Sequence, residues 1–248
     1  MTGNRAGYLC DPVLEQLGVL HGFAERGAQP PDSTVFLRQV HGVRAVHAEP
    51  PPAPARSGAQ AGGLEEADAI VSGTPGLAVG IVTADCVPIL VAAADGRRVA
   101  AIHAGWRGLA AGVIEGGIEA MGIAPEQLVA AIGPAARGCC YEVDAPVAGA
   151  LAQRYAALLP GVLVPGRPGR HQLDLPALAG RILEALGLAP LRLGLAQCHC
   201  TICTPGPRFE SYRRDGAAAG RLRHFISPAP GLAAVRSGPT RGPSGAEG

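Results

Sequence analysis

Between Leu77 and His103 the chain runs through apolar stretches that are rich in β-branched residues, too short for helices and repeatedly interrupted. Leu77 to Thr83 and Val87 to Ala93 read as two buried strands separated by a sharp break at Ala84-Asp85-Cys86. Asp95-Gly96 then gives a strong tight-turn signal, and Arg98 to His103 returns as a third strand. Asp85 and Pro88 interrupt the most apolar stretch, Gly76 to Ala94, which makes it a poor membrane span and a good strand pair.

Helices are signalled around this block. Gly105-Trp106-Arg107-Gly108 breaks the strand pattern, Leu109 to Met121 has helical spacing, and Gly122 supplies a C-terminal cap. Asp144 with Pro146 opens a second helix, and Asp174 with Pro176 opens a third that ends before Gly187. Leu128 to Ile132 and Leu191 to Ala196 read as further strands. Strands and helices alternate too irregularly for a doubly wound sheet, so the expected fold is α+β, a mixed β-sheet core flanked by helices. Residues 48–63, rich in Pro, Ala and Gly, are expected as an exposed loop. Residues 227–248 offer neither periodicity nor aromatic anchors and are expected as a disordered tail, leaving 1–226 as a single domain.

The formal net charge is +1 and no basic block is present, so the footprint of a nucleic-acid or anionic-membrane binder is missing. Small neutral or anionic substrates are the better match. All 21 basic residues are Arg, which excludes Schiff-base, phosphate-loop and kinase-type lysines and leaves oxyanion recognition to guanidinium groups. The N-terminus lacks the basic start and continuous apolar run of a secretory signal. Seven cysteines in such a chain fit a reducing compartment, and the expected location is the cytoplasm.

His41 follows the strand-like Val35 to Val40, Cys86 lies at the break between two strands, and His103 closes the third strand. Each sits where an element gives way to a loop, a common location for residues that converge on a site. Two imidazoles and a thiolate suit Zn²⁺, and three protein ligands leave a fourth position for water or substrate. On residue types alone, hydrogen-bonded structural histidines and a core cysteine are the competing reading.

Five segments resemble the signature of the laccase-domain family, also called the YfiH-like or peptidoglycan-editing-factor family of zinc-dependent purine nucleoside phosphorylases. They are LRQVHG (Leu37 to Gly42), ADAIVSGTPGLAVGIVTADCVPIL (Ala67 to Leu90), AIHAGWRG (Ala101 to Gly108), IGPAARGCCYEV (Ile132 to Val143), and Cys200-Thr201 followed by FESYRRDG (Phe209 to Gly216). The resemblance implies a YfiH-like fold, one Zn²⁺ per chain held by His41, Cys86 and His103, and purine nucleosides and phosphate as substrates, with adenosine deaminase activity besides. It departs from the family in two places. HGFAERG (His21 to Gly27) is followed almost at once by LRQVHG, without the long segment that helps form the substrate side of the family's pocket, and Glu210 stands where an aromatic is more usual.

Asp85 could exchange a proton with substrate or water, cap its turn, or hold His103. Arg38, Arg107, Arg213 and Arg214 are candidates for phosphate, Arg107 foremost because it lies in the loop after His103. His21 could line the pocket or sit hydrogen-bonded in the core, Glu142 could serve as an acid or pair with an Arg, and His47 reads as structural. Cys198, His199, Cys200 and Cys203 form C-H-C-x-x-C, whose spacing invites a second zinc if the vicinal Cys139-Cys140 pair joins it. Reduced, partly buried thiols are the plainer reading.

Three other functions compete. Cys86 could act as the nucleophile of a hydrolase acting in peptidoglycan precursor editing, with a His as base. The shortened N-terminal region could belong to a non-enzymatic protein with structural zinc, closed by a fourth ligand from Cys139, Cys140 or the Cys198 group. Copper, with polyphenol oxidation, is the third, since His₂Cys is also a blue-copper ligand set. A multicopper oxidase, however, needs about ten histidines largely in His-x-His pairs, whereas this chain has seven and no such pair, with Met121 the one axial candidate beyond the initiator.

Overall fold

Every residue of Val87–Ala93 is buried, and successive side chains serve two different cores. Val87, Ile89 and Val91 face a layer of helices, whereas Leu90 and Ala92 face a second sheet. A strand points alternate side chains to opposite faces, so one covered on both sides must be apolar throughout. Each fully buried Ile or Leu there contributes about 1.5–3 kcal/mol.

The computed structural model describes residues 6–50 and 65–230. In chain order the first half carries β1 (Tyr8–Leu9), α1 (Pro12–Glu15), β2 (Leu20–Ala24), β3 (Ala45–His47), β4 (Ala69–Ser72), β5 (Val79–Thr83), β6 (Val87–Ala93), β7 (Val99–Ala104), α2 (Trp106–Ala111) and α3 (Val113–Met121). The second half adds β8 (Leu128–Ile132), β9 (Glu142–Asp144), α4 (Ala145–Tyr155), β10 (Leu163–Pro165), β11 (Arg170–Leu173), α5 (Leu175–Ala185), β12 (Leu193–Gly194), α6 (Tyr212–Asp215) and β13 (Leu222–Ser227).

A six-stranded mixed sheet, ordered β12-β8-β6-β7-β4-β3, is antiparallel at its centre and parallel in its two outer pairs. One face packs against α3, α4 and α5 around Ile102, Ile114, Leu151 and Leu178. The other packs against an antiparallel sheet ordered β1-β2-β13-β5, through Phe23, Ile81, Leu90 and Ile226. A small antiparallel sheet, β10-β11-β9, completes the α+β arrangement expected from the sequence.

The expected caps form. Asp144 accepts from the Val147 N–H, Asp174 accepts from the Ala177 N–H, and Gly122 takes the left-handed conformation that ends α3. Four expectations are corrected. β5 and β6 are not sheet neighbours: the break between them is a crossing from one sheet to the other. Val35 to Val40 makes isolated bridges to Val79 and Glu66 instead of a strand, because the Gln39 side chain, bonded to both the N–H and C=O of Val82, substitutes for ladder hydrogen bonds. The helix expected from Leu109 begins at Trp106 and is split at Gly112, whose φ of +100° breaks it into α2 and α3. Leu191 and Arg192 belong to a 3₁₀ turn opened by Pro190, which leaves β12 only Leu193–Gly194.

Of the loop expected over 48–63, residues 51–63 lie outside the described residues, as do residues 231–248 of the expected tail. Ser227 closes β13, and the Ala229 N–H still donates to the Gly96 carbonyl at 2.9 Å.

Candidate metal centre

β6 and β4 both run antiparallel to β7, so the starts of those two strands lie beside the end of β7. Asp68 precedes β4, Cys86 precedes β6 and His103 stands next to last in β7, which brings all three to one end of the six-stranded sheet. His41 reaches them from the loop before β3. The ligand atoms of His41, Cys86 and His103 lie within 4.8 Å of one another. His41 Nε2 is 3.8 Å from Cys86 Sγ, and the two imidazole rings stand edge to face at 4.9 Å. Donors around a tetrahedral zinc ion are about 3.3–3.8 Å apart, given metal–ligand bonds of about 2.0–2.3 Å. The donor types and spacing therefore fit such an ion.

Asp68 is the support that sequence reasoning missed. Its buried carboxylate accepts from His103 Nδ1 (2.8 Å) and the His41 N–H (2.9 Å) on one oxygen, and from the Gly42 (2.7 Å) and Val40 (3.2 Å) N–H groups on the other. A proton on His103 Nδ1 leaves Nε2 free as a ligand. Three successive backbone N–H groups also hold His41 at a φ of +59°, in the left-handed region. The signal was present in the sequence as a carboxylate immediately before the apolar Ala69-Ile70-Val71 that opens β4.

Asp85, at a φ of +91°, also sits in strained backbone, at a cost of about 1–3 kcal/mol. Its two carboxylate oxygens accept from Thr201 Oγ1 and the Arg213 N–H, each at 2.6 Å, and its carbonyl accepts from the Ala136 N–H. It thus ties three segments together beside Cys86, while the carboxylate that orients His103 is Asp68. Gly105, which follows β7, has no room for a side chain: a Cβ there would lie 2.9 Å from His41 Cδ2 and 3.0 Å from Cys86 Sγ.

Burial alone would push the Cys86 thiol up, but hydrogen bonds from His103 and His41 and their charge bring it down to about 6. Burial would likewise lower His103, but Asp68 and Cys86 raise it to about 9. For Asp68, burial is outweighed by His103 and the backbone N–H groups, and its carboxyl is held below the usual range. Burial first, then the charge of Cys86, raises the Tyr141 phenol against the opposing pull of Arg213, whose guanidinium lies 4.7 Å from the Tyr141 ring.

The remaining candidates divide. Arg213 is at this end of the sheet, with its N–H on Asp85 and its guanidinium donating to the Glu142 carbonyl. Arg107 is exposed, stacked 4.5 Å from the Trp106 ring, with no ion pair among the described residues. Arg214 is spent on the Thr201 and Phe209 carbonyls and on Asp215, and Arg38 on Glu66 at the surface. The Glu142 carboxylate is paired with Arg167 through both oxygens, which lowers its pKa. His21 is a core residue: Nε2 accepts from the Asp11 N–H, so Nδ1 carries the proton to the Val19 carbonyl. His47 is exposed on β3. Cys139, Cys140, Cys200 and Cys203 form a separate group, without Cys198 or His199.

Comparison with known proteins agrees with this geometry. A family model described as multi-copper polyphenol oxidoreductase laccase matches residues 19–229. A Deinococcus radiodurans protein named purine nucleoside phosphorylase is 38% identical over 217 residues, 85% of this chain and 75% of its own. The Escherichia coli purine nucleoside phosphorylase YfiH is 34% identical over 196 residues, 79% of this chain and 74% of its own. The crystal structure of a Neisseria meningitidis protein assigned to family DUF152 superposes with a TM-score of 0.76 at 28% identity, covering 90% of this chain and 99% of that one. With the match extending over nearly all the described residues and the fold in common, the chain belongs to the laccase-like family that includes the YfiH-type proteins.

Proposed function

We propose that this protein is a zinc-dependent purine nucleoside phosphorylase that also deaminates adenosine. The observation that carries this reading is the three-donor group of His41, Cys86 and His103, supported from below by a buried carboxylate and without a fourth protein donor among the described residues. Catalytic zinc sites keep one position for substrate, whereas structural sites are closed by a fourth ligand. The cysteines that could have closed this one gather elsewhere. Relatives named purine nucleoside phosphorylase support purine nucleosides and phosphate as the substrates.

Zinc, when bound, supplies Lewis-acid charge that stabilises negative charge developing on oxygen. Asp68 keeps His103 in the ligating tautomer, and Asp85 acts as a positioning residue for the turn that carries Cys86. Arg107, unpaired with any carboxylate among the described residues, offers its bidentate face to phosphate and orients it toward the ribose anomeric carbon, with Arg213 as a second cation. Tyr141 keeps its proton beside Cys86 and can donate a hydrogen bond to the departing base. Copper fits less well. The Met121 carbonyl accepts from the Arg98 guanidinium at the opposite end of β7 from His103, about 15 Å away by strand rise, which puts Met121 too far for an axial ligand.

A second reading, Cys86 as the nucleophile of a hydrolase, is favoured by one observation: the thiol is held at about 6 between two imidazoles. A metal-bound thiolate is a poorer nucleophile, so chelation separates the two readings. It abolishes nucleoside turnover under the first and enhances thiol-dependent hydrolysis under the second.

The test is chromatography of adenosine and inosine incubated with zinc-loaded protein, with and without phosphate. Free base that appears only with phosphate reports phosphorolysis, and inosine formed from adenosine without phosphate reports deamination. Neither product at full zinc loading would overturn the reading. Arg107→Lys keeps the charge but loses the fork, so phosphorolysis should fall about tenfold or more with zinc content and deamination nearly unchanged. Equal loss of both activities would remove phosphate from Arg107.

A further inference from the structure

The sulfur atoms of Cys139, Cys140, Cys200 and Cys203 all lie within 4.8 Å of one another, with Cys139 and Cys203 3.6 Å apart. Sulfurs around a tetrahedral zinc ion are about 3.8 Å apart, since Zn–S bonds are about 2.3 Å. A disulfide would need about 2.05 Å, and Cys139, Cys140, Cys200 and Cys203 are all reduced thiols. Two of the four thiols, Cys139 and Cys203, are exposed and Cys200 is buried. Such a group has the full tetrathiolate donor set of a closed structural site, in contrast to the three donors at His41, Cys86 and His103.

The chain around these sulfurs is irregular on both sides. Residues 195–211 connect β12 to α6 with no helix or strand of their own, and residues 133–141 connect β8 to β9 in the same way. The two segments are joined by an isolated bridge, Ala135 with Cys200, and by a hydrogen bond from Arg137 to the Cys198 carbonyl. An irregular connection longer than about 12–15 residues is uncommon inside a compact fold unless it is functional. This one carries buried Thr201, flanked by Cys200, and Thr201 holds the Asp85 carboxylate at 2.6 Å, next to Cys86.

We propose that Cys139, Cys140, Cys200 and Cys203 bind a second zinc ion, which clips the 133–141 and 195–211 segments together and so fixes Thr201 beneath the turn that carries Asp85 and Cys86. The site is independent of the His41, Cys86, His103 centre, and each can be lost without the other.

Elemental analysis of the purified full chain saturated with zinc and then desalted tests this. The wild type should hold about two zinc ions per chain, Cys86→Ala one, Cys203→Ser one, and the double variant none. Cys203→His, which replaces a sulfur donor with a nitrogen, should restore the ion that Cys203→Ser loses, so that a folding defect in the serine variant does not decide the matter. Cobalt loaded into Cys86→Ala should show the near-ultraviolet charge transfer and intense visible bands of a tetrathiolate, and Cys139 and Cys203 should resist thiol reagents until a chelator is added. A wild type with one zinc that Cys86→Ala abolishes would overturn the second site. So would a Cys139–Cys203 disulfide in peptide maps of unreduced protein, or iron in place of zinc. One zinc that survives Cys86→Ala but not Cys203→Ser would instead leave this site standing and remove zinc from His41, Cys86 and His103.

Discussion

Asp68 receives four hydrogen bonds, from one imidazole and three backbone N–H groups, and through them it sets both histidines of the candidate metal centre. Asp68→Asn keeps the shape but removes the charge and half of the acceptor capacity, so an amide must turn its NH₂ toward donors. Zinc affinity, measured by competition with a chromogenic chelator, should weaken about 10–100-fold, the range for partners that orient ligating histidines. Unchanged affinity would show that His103 orients itself. The candidate ligands were legible in the sequence through the QVHG, TADC and HAGWRG motifs, since residue type alone left structural histidines and a core cysteine as the competing reading. Asp68 was not, because a carboxylate becomes a partner of His103 only when β4 and β7 pair and place it 2.8 Å away across 35 positions of sequence.

At the scale of elements, the centre depends on how closely the start of α2 approaches the loops before β3 and β6. Gly105→Ala would put a methyl group 2.9 Å from His41, nearer than real Cβ contacts go, and 3.0 Å from Cys86, tighter than nearly all of them. The two ligands must move apart, so zinc affinity should drop at least tenfold by the same competition assay. Gly149→Ala is the matched control, since Gly149 lies in α4 with open space around its Cβ position. That change should stabilise the fold by about 0.5–1 kcal/mol in urea unfolding and leave zinc binding alone. Equal zinc affinity in the two variants would mean that the Gly105 backbone yields without cost to the ligands. Local signals located several central elements, including β6, β8, α4 and α5, because periodicity and N-caps act over a few residues. They missed the split at Gly112 and the crossing between β5 and β6, which depend on what covers each face.

Over the whole molecule, His224 joins the two halves of the antiparallel sheet in β13. Its Nδ1 accepts from the Ala24 N–H at 3.1 Å, so Nε2 carries the proton to Thr83 Oγ1 at 2.8 Å, and the ring is neutral. Burial, reinforced by the charge of His103, pushes its pKa down to about 3. The unfolded chain takes up a proton near pH 6.5 while the folded ring stays neutral. Stability present above pH 6.5 is therefore lost as pH falls toward 3, at up to about 1.4 kcal/mol per pH unit. His224→Gln, whose amide can accept from Ala24 and donate to Thr83, should show a urea-unfolding free energy that falls less steeply between pH 6.5 and 4, by about one proton. Parallel slopes would mean that His224 titrates alike in both states.

The chain alone determined the α+β class, the apolar strands and the helix caps, because these follow from local periodicity and single side chains, and its family motifs marked three candidate metal donors. Only the tertiary structure decided that Asp68 lies beneath His103, that Asp85 is held by Thr201 and Arg213 beside Cys86, and that four cysteines from two segments meet, Cys139 and Cys203 standing 64 positions apart. Those contacts depend on strand order and on which sheet each strand joins, and these are settled by packing two apolar faces at once, which no stretch of neighbouring residues encodes.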